Sequence, residues 1–428
     1  MRDMKDSGVE WIGSIPVDYY TVSIGSLFTI KKDIIGREPE TVLSITQTGV
    51  RPKDLTSNEG QNASSYANYQ IVNIGDFAMN HMDLLTGWID ISKYEGVTSP
   101  DYRVFTLKDK GMSAEYFLRV FQHYYTNRVF FGFGQGVATL GRWRLPAINF
   151  KKIDVPVPPI KEQKRIVRAI DTNVEKVDVL IENVQKQIEK LKAYKQSLIT
   201  VVVTKGLDST APMKDSGIEW IGEIADTRTI FRLKYLLDSP MQYGANESGD
   251  KLTEDSVRYI RITDITADGN LKDDDNNQYL SMSAAEGYIL KDKDVLFARS
   301  GGTVGKSFLY REEYGISAFA GYLIKAECDK TSLLPEYLIY YTQSSLYELW
   351  KNMIFIQATI QNIGANKYSN MEIPVPSVEE QVSIVEYLDG KCSQIDRLIA
   401  IKQAKIEKLD QYKRSLIYEY VTGKKEVS

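Results

Sequence analysis

The segment RSGGTVGKS at residues 299–307 ends in the Gly-Lys-Ser that closes a phosphate-cradling loop, so nucleotide binding is the first chemistry to weigh. That loop has the spacing GxxxxGK[ST], and counting back five places from Gly305 lands on Ser300, with Gly301 one residue too close. A turn folded on these glycines is too short to wrap backbone N–H groups around a triphosphate. FFGFG at 130–134 matches the FxGxG turn of S-adenosylmethionine-dependent methyltransferases. Its partner motif [DNS]PP[YF] is missing, because Pro-Pro occurs in VPPI at 157–160, and the sequence has no βαβαβ alternation. The acidic run Asp273 to Asp275 sits in the polar stretch NLKDDDNNQ without a second carboxylate cluster and reads as a solvated turn. Two cysteines, Cys328 and Cys392, and two histidines, His81 and His123, give neither CxxC spacing nor a zinc set. The residues therefore point to no catalytic centre and no metal.

Binding is the chemistry that remains. Polar, glycine-containing loops recur: SITQTGVRPKD, NHMDLLTGW and GQGVATLGRWR in the first half, RITDITADGN, RSGGTVGK and QATIQNIGANK in the second. Arg or Lys can span O6 and N7 of guanine, Asn or Gln can pair with N6 and N7 of adenine, and glycine lets backbone approach a phosphate. The DNA-contact candidates in the first half are Gln47, Thr48, Arg51, Lys53, Asn80, His81, Trp88, Gln135, Thr139, Arg142 and Arg144. In the second half they are Arg261, Thr263, Arg299, Ser300, Gly301, Thr303, Lys306, Gln357, Gln361 and Lys367. Turn chemistry alone also produces such loops, so each is weighed against a purely structural role.

A net charge of −4 argues mildly against a polyanion as partner, but the charge is uneven. No acid lies between Glu115 and Asp154, an interval holding Arg119, Arg128, Arg142, Arg144, Lys151 and Lys152. Acid-free windows recur from Phe297 to Arg311 and between Glu348 and Glu372. Local potential, not the sum, is what DNA meets.

The elements that must position these loops are written twice. MKDSGVEWIG at 4–13 returns as MKDSGIEWIG at 213–222, VPVPPIKEQKRIV from Val155 as IPVPSVEEQVSIV from Ile373, and IEKLKAYKQSLI from Ile188 as IEKLDQYKRSLI from Ile406. The later matches keep an offset of about 218 and the first one of about 209, so the second copy carries some nine extra residues in its middle. After VPVPP the chain runs to about Val203 without Gly or Pro, on a heptad seam of Ile170, Val177, Val184, Leu191 and Leu198 with Val174, Ile181 and Ile188. The second copy repeats the seam with Leu388, Ile395, Leu409 and Leu416 and with Cys392, Ile399 and Ile406, interrupted by Lys402. Two such stripes predict an antiparallel coiled-coil pair within the chain, a rod holding a divergent head at either end; parallel dimerisation of two chains is the alternative. Both heads read as mixed α/β, with short strands such as DFAMN and DVLFARS followed by aromatic helical segments. The N-terminus is polar and no run approaches the ~20 apolar residues of a membrane span, so the cytoplasm is the expected location.

The doubled EWIG, the VPxPxxEQ leading into a long helix ending YKxSLI, and the ARSGGTVGK turn together resemble the specificity (HsdS) subunit of type I restriction-modification systems, over essentially the whole chain. SPDY at 99–102 fits the same resemblance, whereas the second head has SAFA at the corresponding place. The resemblance implies an α/β (α+β) chain with a pseudo-twofold internal repeat: an N-terminal segment 1–15, a first target recognition domain 16–157, a long helix 158–205, a linker with the repeated EWIG at 206–222, a second target recognition domain 223–375 and a second long helix 376–422. It implies a non-catalytic subunit whose domains each read one half of a bipartite, asymmetric site in double-stranded DNA, with the helices setting the gap and docking two methyltransferase subunits. S-adenosylmethionine would belong to those partners, and ATP and Mg to motor-nuclease subunits. A two-headed protein-interaction scaffold is the alternative.

Overall fold

The computed structural model describes residues 2–56, 63–136, 143–266, 269–272, 274, 276–356 and 361–427. The chain forms two compact units, Met1–Gln185 with Ala404–Ser428, and Lys186–Gln403. Both chain ends thus belong to the first unit, and each unit combines a mixed α/β head with part of each long helix.

In the first unit an antiparallel sheet runs in the order Phe28–Lys31, Arg103–Leu107, Phe77–Met79, Ile89–Ile91. Its inner face meets the helix Ala114–Thr126, begun by Ser113, whose hydroxyl accepts from the Tyr116 N–H. Phe28, Phe77, Phe105, Phe117 and Phe121 fill the space between them in mostly edge-to-face contacts. A hairpin pairs Leu43–Thr46 with Gly49–Pro52.

The second unit repeats the sheet as Gln242–Tyr243, Leu323–Ala326, Val295–Ala298, Ser307–Leu309. It adds a second sheet, Gln278–Ser281, Ser256–Ile260, Ser317–Phe319, whose last pair is parallel. The aromatic segment read as one helical stretch is two helices, Pro335–Thr342 and Ser345–Ile356. The break falls at Ser344, whose hydroxyl lies 2.6 Å from the Tyr341 carbonyl and also accepts from the Tyr347 N–H, ending one helix and capping the next.

The long helices are Ile160–Lys205 and Val378–Val421. In the first unit Asn173 bonds the Tyr420 hydroxyl at 3.2 Å and Lys413 pairs with Asp178 at 2.6 Å. In the second unit Lys402 bonds Gln187 at 2.6 Å and Lys195 pairs with Asp396 at 2.7 Å. In both, numbers rise along one helix as they fall along the other, so the helices pack antiparallel within one chain. Ile170, Val177, Val184, Ile188, Leu388, Cys392, Ile395, Ile406 and Leu416 from the expected seam are buried. Lys402, which breaks the seam, keeps its charge tolerable by reaching the Gln187 side chain. Among the described residues no helix is long and apolar enough to cross a membrane.

Candidate nucleic-acid interface

The RSGGTVGKS segment is a hairpin connection. Gly305 N–H donates to the Ala298 carbonyl at 3.0 Å, Ala298 N–H to Lys306 at 2.7 Å, and Val304 N–H to Gly301 at 3.0 Å. Gly301 and Gly305 take φ of 80° and 84°, the left-handed region that a side chain disfavours. At Gly305 a Cβ would in addition come 2.3 Å from Lys351 Cδ. The turn joins two antiparallel strands, whereas a phosphate-cradling loop runs from a strand into a helix.

Arg299 is fixed by its backbone from both sides: its N–H donates to Tyr322 and its carbonyl accepts from Ile363, both at 2.9 Å. Its guanidinium lies 5.1 Å from the centroid of the Tyr243 ring, and the Tyr243 hydroxyl accepts from the Ala365 N–H at 2.9 Å. Tyr322 is 63% exposed and Tyr243 42%. Ser300 bridges to Asn362, so the loop carrying exposed Gln361 and Asn362 lies beside the turn. Gly301 is exposed, and the carbonyl of Thr303 holds the Lys306 N–H at 3.0 Å. Lys306 has no ion pair among the described residues. Lys367 is exposed on the short helix Ala365–Ser369. Arg261 is engaged locally, with Nη2 2.8 Å from Asp264 and 2.9 Å from the Asn276 carbonyl, and Thr263 is exposed beside it.

In the first unit His81 stands where Arg299 stands in the second. Each follows the third strand of its sheet order, and the Leu145 N–H donates to the His81 carbonyl at 2.9 Å just as Ile363 does to Arg299. His81 is half-buried, and its imidazole is pulled down to about 3 by desolvation and by the charges of Arg103 and Arg144. Asn80 N–H bonds the Trp88 carbonyl at 2.9 Å, and Trp88 packs against Tyr125 with centroids 6.0 Å apart. Gln135 and Arg144 form an antiparallel bridge at 2.8 and 3.1 Å, and both are exposed. Gln47, Thr48 and Arg51 are exposed on the 43–52 hairpin, Gln47 bonding the Thr86 carbonyl at 3.3 Å; Lys53 just after it is half-buried. Thr139, Arg142 and Gln357 lie outside the described residues. The structure thus gathers His81, Arg144 and Gln135 in one unit and Arg299, Ser300, Gly301 and Gln361 in the other.

Four residues escaped the sequence reading: Arg103, Tyr243, Tyr322 and Asn362. Arg103 carried a signal, a cation opening the otherwise buried run RVFTL. Asn362 lay inside the polar loop QATIQNIGANK without being singled out, and the two tyrosines gave no signal, since exposed tyrosines are common in a chain with 27 of them.

On the helix side the first unit has a groove of about 1240 Å³ whose lining carries Asp171, Glu175, Asp178 and Glu182 together with Lys93, Arg119, Lys413 and Arg414, and reaches Gln47, Thr48 and Trp88. Asp171 and Asp178 are paired there with Arg119 and Lys413. Among the described residues no group of three or more His, Cys, Asp or Glu could hold a metal ion.

The family model of the type I restriction modification DNA specificity domain matches residues 16–190 and again 230–411. The chain belongs to this family. Its two matched segments correspond to the two copies of the internal repeat. The chain is similar to the type I restriction enzyme MjaVIII specificity subunit of Methanocaldococcus jannaschii, 26% identical over 289 residues, 64% of this chain and 63% of that protein. It is also similar to the EcoKI specificity subunit of Escherichia coli, 25% identical over 275 residues, 61% of this chain and 56% of that protein. The match thus spans less than two thirds of either relative's length. A chain solved in work on complex assembly and conformational transition of the type I R-M system shares the fold, with a TM-score of 0.63 at 16% identity over 95% of this chain and 98% of that one. At the level of the family, this chain carries two type I restriction modification DNA specificity domains.

Proposed function

We propose that each unit's head reads one half of a bipartite, asymmetric duplex site, the first through residues 16–157 and the second through 223–375. The observation that carries this is the pairing of His81 with Arg299 at one structural position on a shared frame. A repeated frame with different side chains at its presenting position is what two different half-sites require. The long helices act as spacer and as docking surface for two methyltransferase subunits, and motor-nuclease subunits complete the assembly. This subunit itself is non-catalytic: S-adenosylmethionine belongs to the methyltransferase, and ATP with Mg to the motor-nuclease.

The decisive experiment is to map methylated adenines in the genome of a strain expressing the complex. A two-part motif with a fixed unread gap is expected. A single contiguous motif, or methylation independent of this chain's sequence, would overturn the proposal in favour of a protein-binding scaffold.

A further inference from the structure

The first head buries a cation that its twin does without. Arg103 is 4% exposed, and burial alone pulls its guanidinium down to about 10, with no carboxylate contributing. Its Nη2 donates to the Leu145 carbonyl at 2.7 Å and its plane lies 4.6 Å from the Phe150 centroid. Its Nη1 is buried without a hydrogen-bond partner among the described residues, and so is Nδ1 of His81. Leu145 joins the two residues through its backbone, its carbonyl taking the Arg103 guanidinium and its N–H donating to the His81 main-chain carbonyl. Arg144, the preceding residue, is exposed and acts on the His81 imidazole together with Arg103.

The second unit shows that the fold needs no guanidinium here. Arg103 pairs with Met79 in the first sheet, and the corresponding partner of Phe297 in the second is Ile324, fully buried. An aliphatic chain builds the same strand pair. An unmatched buried cation is a cost that packing does not explain, and it is relieved when an anion arrives.

We infer that Arg103 and Arg144, beside the His81 imidazole, form an anion site in the first head that takes a phosphate group. Two guanidiniums from separate residues suit an anion with several oxygens better than a carboxylate, which one guanidinium saturates. Under the proposed function, on which only this source rests, the phosphate is a backbone phosphodiester of DNA; free inorganic phosphate is the other source.

The test begins with thermal unfolding of the full chain in inorganic phosphate and in chloride at matched ionic strength. Phosphate is expected to raise the Tm of the wild type and not that of Arg103→Met. In chloride Arg103→Met should be at least as stable as the wild type, which a merely structural arginine would not allow. If that variant does not fold, exposed Arg144→Gln gives the same reading without touching the core. An undiminished phosphate response in Arg144→Gln, or in a folded Arg103→Met, would overturn the site. The second arm measures duplex affinity with the methyltransferase partner against salt. A slope of log affinity against log salt smaller by about one in Arg103→Met assigns DNA as the source. An unchanged slope with the phosphate response lost assigns free phosphate. Loss of half-site choice in Arg299→Ala bears on the DNA reading alone, so the two ideas fail separately.

Discussion

Tyr116 and Tyr337 occupy equivalent places in the two units, each with its hydroxyl between two backbone carbonyls. For Tyr116 these are Pro156 at 3.0 Å and Val421 at 2.9 Å; for Tyr337 they are Pro374 at 2.7 Å and Val203 at 3.2 Å. Each tyrosine therefore ties the VPVP strand of its own copy to the last turn of the other copy's helix. Both hydroxyls are buried, so removal takes away a donor that water does not replace. Tyr116→Phe and Tyr337→Phe should each cost about 0.5–1.5 kcal/mol in chemical denaturation. Because they lie in separate units, the double variant should show the sum; a strong departure would mean that the units do not unfold independently.

The glutamate of the VPxPxxEQ motif serves the same joint by different means. In the second unit Arg228 is 0% exposed, with Nη1 2.7 Å from Glu380 and Nε 3.1 Å from the Val203 carbonyl. In the first unit Glu162 takes Arg2 and the Tyr19 hydroxyl instead, the latter at 2.9 Å, and the Arg2 side chain is 24% exposed. Glu380→Ala leaves a buried cation unmatched and should cost about 3–5 kcal/mol. Glu162→Ala should cost about 1 kcal/mol, because water can reach Arg2. Equal losses in denaturation midpoints would refute this asymmetry.

The repeat and the antiparallel helices could be read from the sequence because each rests on a periodic or copied pattern. The neighbouring glutamine shows why the copies persist: Gln163 accepts from the Ser113 N–H at 2.8 Å and Gln381 from the Leu334 N–H at 2.7 Å, each fixing the start of a head helix. The presenting residues lack such a signature. Arg261 and Arg299 look alike in sequence, yet one is bound to Asp264 and the other lies over a tyrosine ring. What separates them is the pairing of distant segments, which brings Tyr243 and Ile363 to Arg299 across long stretches of chain. Likewise nothing local to His81 reveals that it and Arg299 share a position.

Arg299 is expected to set one half-site only. With the methyltransferase partner present, Arg299→Ala should lose about 1–3 kcal/mol of discrimination at one base pair of that half and leave the other half unchanged. Tyr243→Leu removes the ring under the guanidinium and should weaken the same discrimination, whereas Tyr243→Phe keeps the ring and should largely preserve it. Binding to base-substituted duplexes checks both, and an unaltered preference in Arg299→Ala would remove this turn from the reading surface.

His123 links stability to pH. It is 6% exposed, stacks on Tyr418 with centroids 5.3 Å apart, and desolvation pulls its imidazole down from 6.5 to about 4. The unfolded chain takes up a proton near pH 6.5 while the folded chain refuses it until about pH 4. The contribution is therefore complete above 6.5 and lost as pH falls toward 4, at up to about 1.4 kcal/mol per pH unit and roughly 3 kcal/mol in all. His81, pulled down to about 3, acts in the same direction and persists in the variant, so the difference between proteins isolates His123. His123→Phe keeps an aromatic partner for Tyr418 and removes the titration. Unfolding free energies measured from pH 7.5 to 4 should fall less steeply for the variant, the two curves diverging only below about 6.5. Parallel curves would mean that the imidazole takes up its proton as readily in the folded chain as in the unfolded one.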